Sequence, residues 1–236
     1  MIKSLYSILT LDQTKNLMKQ LSLFLCGLIL WCNAKALETD SVKTPHFNYK
    51  VVLVPAALMV SGVLLNSNNP ESVKNEIVEF RNNHMPNFRA KIDDYLQFSP
   101  IAMAYGLDAM GIASKNPAQT RSFLLLKGEV LAVGTSFLLK NLCRQVRPDG
   151  SGFNSFPSGH TTQAFAAATF LSEEYKGRYP WVPYAAYGVA TSVGALRMAN
   201  NKHYISDVLF GAGLGILAMK TPYWLKQKKH TAVPQW

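Results

Sequence analysis

The sequence predicts an all-α protein, a helical bundle of about six core helices with an amphipathic helical segment attached. Three observations point there. Six apolar stretches recur, at residues 51–65, 100–113, 122–139, 161–171, 181–196 and 208–219. They are rich in alanine, leucine and methionine and show little of the period-two alternation of half-buried strands. Turn signals separate them: Asn66-Ser67-Asn68-Asn69-Pro70, the Lys-Gly-Arg-Tyr-Pro run at 176–180, and Asn200-Asn201.

In chain order, Met18, Lys19 and Gln20 open a basic segment, an apolar run follows over 21–31, and Ala34 and Ala36 stand where a signal peptidase reads. A secretory signal peptide over residues 1–36 is expected, with Met18 a candidate true start and a single domain over 37–236. An uncleaved anchor is the alternative, although the run is short for a span. After the first apolar stretch, residues 71–96 carry Val73, Ile77, Phe80 and Phe88 among charges, the pattern of an amphipathic helix, interrupted near Pro86. The later stretches are shorter than the ~20 residues of a membrane span or carry a charge such as Asp108, Lys127 or Glu129. Buried core helices and membrane spans both stay open.

The chain has 236 residues, enough to bury a core without disulfides or metals. Its formal charge is +10, but the basic residues are spread. The one dense cluster outside the motifs below is Lys226, Lys228, Lys229 and His230, with no zinc-finger spacing or aromatic ribonucleoprotein motif beside it, which argues against nucleic acid. A tail of this kind suits anionic lipid headgroups. Leader cleavage would remove Cys26 and Cys32 and leave Cys143 alone, so no intramolecular disulfide is expected, and no metal-ligand spacing is present.

Three clusters carry the chemistry. The first runs Lys140-Asn-Leu-Cys-Arg-Gln-Val-Arg147-Pro148. Lysine offers a phosphate a point charge and arginine a bidentate fork, although a helix C-terminus attracts basic residues in any case. The second is Pro157-Ser158-Gly159-His160, leading into a helix: serine caps, glycine lets a ligand approach, and the free N–H groups and dipole face one point. His160 at the rim is placed to protonate a leaving oxygen. In the third, His203 and Asp207 fall one turn apart if the segment is helical, behind Arg197. Asp207 can then fix the His203 tautomer and free its other nitrogen to attack phosphorus. Together the clusters supply cations (Lys140, Arg147, Arg197), backbone donors (Ser158, Gly159), a nucleophile (His203) and an acid (His160), the parts phosphoryl transfer needs.

Lys-x6-Arg-Pro, Pro-Ser-Gly-His and Arg-x5-His-x3-Asp, in this order on helix-rich sequence, resemble the type 2 phosphatidic acid phosphatase (PAP2) and vanadium haloperoxidase superfamily. The matched block runs from 140 to 207. The family usually has serine before its third-motif arginine, whereas Leu196 stands here, removing one hydrogen bond to phosphate. The resemblance implies phosphate binding by Lys140, Arg147, Ser158, Gly159 and Arg197, attack by His203 to form a phosphohistidine, orientation by Asp207 and leaving-group protonation by His160, with no metal and no cofactor. The expected substrate is a phosphorylated lipid or a small phosphate ester, in a bacterial envelope protein with membrane contact and its site facing the periplasm. The alternatives are a soluble periplasmic acid phosphatase of the same superfamily and a non-catalytic lipid-phosphate binder. Parity raises a difficulty: a leader that exports residue 37, followed by three crossings before Lys140, puts the site in the cytoplasm.

Overall fold

The computed structural model describes residues 49–231, and every regular element among them is a helix: α1 (Lys50–Leu64), α2 (Val73–His84), α3 (Asp93–Leu96), α4 (Ser99–Ala109), α5 (Ala118–Cys143), α6 (Gly159–Tyr175), α7 (Val182–Ala199) and α8 (Ile205–Thr231). The expected leader, with Cys26 and Cys32, lies outside the described residues. Each apolar stretch of the sequence is a helix. The amphipathic segment breaks where proline requires it: α2 stops at His84, because a residue before proline is excluded from the helical region and Met85 turns to φ −136 and ψ 48.

α6 is the central helix, and nearly all of it is buried. Ala164, Ala168, Phe170 and Leu171 from α6 share the core with Ala190 and Val193 of α7 and Met219 of α8. α8 packs on α1, α5 and α6, and glycines set how closely. A Cβ at Gly213 would collide with the Pro55 carbonyl of α1, and one at Gly215 with the Thr162 carbonyl of α6. From α1, Gly62 returns the fit: its Cβ would sit 2.7 Å from the Phe210 nitrogen. These pairings run α1 against α8 and lay α6 alongside it. α6 and α8 therefore begin at the end of the bundle where α5 and α7 stop, and all three motifs collect there.

The opposite end is closed by buried polar groups. Arg121, fully buried, donates to Asp108 Oδ2 at 2.6 Å and Ser114 Oγ at 2.7 Å. Glu174 accepts from the Asn116 backbone and side chain and, at 2.6 Å, from the Tyr223 hydroxyl. Pairing of this kind offsets much of the cost of charges inside an apolar bundle, although Arg121 Nε keeps no partner.

α5 has a largely apolar outer face, on which Lys127 is the exposed charge. Phe123, Leu126, Val130, Val133 and Phe137 recur at three- and four-residue spacing, and all are exposed. At 1.5 Å per residue its 26 residues extend about 39 Å, more than a bilayer's hydrocarbon core. Among the described residues, α5 and the segment Ile205–Gln227 of α8 are long and apolar enough to cross a membrane. Glu129, a charge that weighed against a span in the sequence, turns inward and accepts from Gln163 Nε2 at 2.9 Å.

Candidate active site

α5 ends at Cys143 because Arg144 adopts the left-handed conformation, φ 44, and the chain leaves the helix axis. The loop that follows is held by its own backbone, with the Arg147 N–H on the Gly152 carbonyl at 2.9 Å and the Ser155 N–H on the Gln145 carbonyl at 3.0 Å. This brings Asn154 between the two cations of the first motif. Lys140 Nζ donates to the Asn154 carbonyl at 2.6 Å and Arg147 Nε to its Oδ1 at 2.8 Å. An open pocket of about 490 Å³ lies against this loop, lined by Lys140, Asn141, Arg144, Phe153 and Asn154.

The second motif starts α6 as the sequence indicated. Ser158 is the N-cap and its Oγ accepts from the Thr161 N–H at 3.4 Å. One donor is already spent: the Ser158 N–H points to the Asp207 carbonyl at 3.1 Å. The N–H groups of Gly159 and His160 take no partner among the described residues, so the start of α6 keeps two free donors together with its dipole. Lys140 lies directly over this turn, its Cε 3.5 Å from where a Gly159 side chain would begin.

In the third motif the geometry differs from a simple helical pair. α8 begins at Ile205, so His203 stands ahead of the helix, and Nδ1 comes to 3.5 Å from Asp207 Oδ2. That separation is too wide for a hydrogen bond, and Nδ1 has no partner at bonding geometry. Asp207 Oδ2 is meanwhile held by the Tyr204 N–H at 2.9 Å and Ser155 Oγ at 2.5 Å. The carboxylate thus caps its own helix and is fixed from a second loop before it meets the histidine. His203 is 2% exposed and Asp207 0%. Burial, opposed by Asp207 and reinforced by Lys140 and Arg197, pulls the His203 pKa down to about 4. The imidazole is neutral at any pH above that, with a lone pair available.

Arg197, on the last turn of α7, completes the cation set and is buried. Burial and the neighbouring Arg197 both disfavour the charge on Arg147, so an anion entering among these cations relieves repulsion. Arg197 is oriented by Asp93, and Asp93 and its neighbour Asp94 are residues that no motif covers. Arg197 Nη1 donates to Asp93 Oδ2 at 2.7 Å and lies 3.9 Å from Asp94 Oδ1, and that same Asp94 oxygen is 2.8 Å from His160 Nε2. Asn200 holds the segment in place, exchanging hydrogen bonds with both backbone groups of Ala90 at 2.8 Å and donating to Asp93 Oδ1 at 3.3 Å.

All eight residues singled out from the sequence are therefore joined by direct contacts or shared partners at one end of the bundle. Asp93, Asp94, Asn154 and Ser155 were missed. Asp93, Asp94 and His160 also bring one ligand atom each to within 4.8 Å of one another, but both Asp93 oxygens are already engaged by Arg197 and Asn200. Cys143 is half-buried with a free thiol.

The chain is similar to several known proteins. A lipid A 1-phosphatase from Porphyromonas gingivalis is 36% identical over 174 residues, 71% of this chain, and this chain spans 37% of that relative's length. The crystal structure of LpxE from Aquifex aeolicus superposes with a TM-score of 0.51 at 20% identity, over 65% of this chain and 96% of its own, a likeness of fold. A PAP2-type phosphatidylglycerolphosphate phosphatase from Bacillus subtilis aligns over 76% of this chain and 97% of its own at 21% identity, with a TM-score of 0.48. Residues 121–231 match the model of the PAP2 superfamily, a segment that holds every residue of the three motifs.

Proposed function

We propose that the protein hydrolyses phosphate monoesters, or pyrophosphate, of membrane lipids through a phosphohistidine on His203. The observation that carries this is a neutral, buried imidazole whose Nδ1 faces a fixed carboxylate, set beside Lys140, Arg147 and Arg197 and the open N-terminus of α6. In the first step Nε2 of His203 attacks phosphorus. As positive charge develops on the ring, Nδ1–H closes on Asp207 Oδ2, because free-enzyme hydrogen bonds of this kind tighten in the transition state. The three cations and the Gly159 N–H take the charge on the equatorial oxygens, and Ser158 holds the turn that presents them. His160 gives a proton to the departing oxygen, then takes one from the water that cleaves the phosphohistidine.

A lipid substrate is supported by the apolar outer face of α5, which would place the site beside acyl chains, and by the printed activity of the Porphyromonas relative. The same surface supports an envelope membrane location, and the site is proposed to face the periplasm. No step calls for a metal ion, since guanidinium, ammonium and backbone donors supply the charge.

Purified protein in detergent should release inorganic phosphate from a short-chain lipid phosphate in the presence of EDTA. His203→Ala should lower kcat by at least about 1,000-fold while the helical circular dichroism stays unchanged. A variant as active as wild type would discard the mechanism, and restoration of EDTA-inhibited activity by a divalent cation would discard metal independence. Preference for water-soluble esters over lipid phosphates would turn the assignment to an acid phosphatase.

A further inference from the structure

The carboxylate that meets His160 has no part in the three motifs. Asp94 comes from α3, 66 positions away in the chain, and its Oδ1 lies 2.8 Å from His160 Nε2. Its side chain is 51% exposed, so packing does not force it there. Its side-chain neighbours in the structure are His160 and, at 3.9 Å, Arg197. The segment is anchored instead through its neighbour Asp93, which is fully buried on Arg197 and Asn200. The backbone is thus pinned by one aspartate while the other reaches the rim of the site.

We propose that Asp94 is a positioning residue for His160, accepting from Nε2–H so that Nδ1 is the atom that delivers the proton to the leaving group. This rests on the phosphatase reading above and deepens it. In the step, imidazolium Nδ1–H bonds the bridging ester oxygen; the P–O bond breaks with its electron pair on oxygen, and the Nδ1 proton follows. His160 is left as the Nε2–H tautomer, still on Asp94, with a bare Nδ1 ready to take a proton from the hydrolytic water. His203 shows the reverse use of the ring, with Nδ1 facing Asp207 at 3.5 Å and Nε2 left to react.

The groups acting on the His160 charge are Asp94 and Asp93 from α3 and Arg197 from α7, with Lys140 of α5 over the adjacent Gly159. Burial and Arg197 disfavour the protonated ring, and Asp94 favours it. Removing the Asp94 charge therefore moves the alkaline limb of the pH profile to lower pH.

The test compares wild type, Asp94→Asn and Asp94→Glu on two substrates: an alkyl phosphate, whose leaving oxygen needs a proton, and p-nitrophenyl phosphate, whose leaving group departs without one. For Asp94→Asn we expect kcat/KM on the alkyl ester to fall by about 10- to 100-fold, within the range of general-acid contributions, with its alkaline limb shifted down in pH. The aryl ester should change by no more than about 3-fold, and Asp94→Glu should recover part of the alkyl loss. Equal losses on both esters, or none on either, in a background where wild type is active and His203→Ala is not, would overturn this proposal alone. So would a loss reversed by an added divalent cation, which would make Asp94 a metal ligand. A wild type inactive on both esters would overturn the phosphatase reading and this proposal with it.

Discussion

In the proposed mechanism His203 attacks only while it is neutral, and its neutrality comes from burial more than from its partner. A group buried neutral is linked to stability. The unfolded chain takes up a proton near pH 6.5 and the folded site resists until about pH 4, so stability is lost as pH falls through that window. The loss is roughly 3 kcal/mol at 1.36 kcal/mol per pKa unit. Thermal melts in detergent between pH 7 and 4 should show it, and His203→Gln should flatten part of the decline. Ser155 tests the positioning of Asp207. Removing its hydroxyl leaves a buried carboxylate short of a donor, and Ser155→Ala should lower stability by about 1–3 kcal/mol and reduce kcat together. The motif residues were legible because phosphate chemistry demands particular side chains at short spacing. Asp93, Asp94, Asn154 and Ser155 were not, since each acts on a partner from another segment. Asp93 and Asp94, for instance, lie 104 and 66 positions from Arg197 and His160.

At the level of helices, apolar stretches and turn signals located six of the eight described, and Pro86 located the break in the amphipathic segment. Two features had no sequence signal. Asn200, read as part of a turn, straps the 85–92 loop to the end of α7, and His203 falls outside α8 because Asp207 caps the helix behind it. The glycines of α8 read as ordinary apolar sequence, yet they set the distances to α1 and α6 on which the alignment of His203 with the α6 N-terminus depends. Gly215→Ala drives a methyl into the Thr162 carbonyl, a backbone atom that cannot swing aside. It should cost about 1–3 kcal/mol as overpacking and lower kcat, whereas Gly188→Ala, with open space at its Cβ, should be neutral or stabilising. Chemical denaturation of the two variants side by side checks this.

For the molecule as a whole, the direction of the helices sharpens the parity problem. α1 runs antiparallel to α8 and ends at the site, so Tyr49 enters the bundle at the opposite end. If the helices span and the site faces the periplasm, Tyr49 lies on the cytoplasmic side, which a cleaved export leader does not allow. Sequence alone left the spans open because it shows charges without showing which way they point. Glu129 turns inward, and the exposed face of α5 is mostly apolar, with Lys127 the charge that stays on it. Placing two charges on that face, Leu126→Lys with Val133→Lys, should release the protein from a carbonate-washed membrane pellet in which wild type remains. The proposed mechanism converges on one atom, a substrate phosphorus held among the three motifs, and chemical trapping reads it directly. Rapid acid-free quenching of the enzyme turning over a ³²P-labelled ester, followed by peptide mapping, should find an alkali-stable, acid-labile phosphoryl group on His203 that accumulates further in His160→Ala given an aryl ester. Label on another residue, or turnover with no covalent phosphoenzyme at any time, would contradict it.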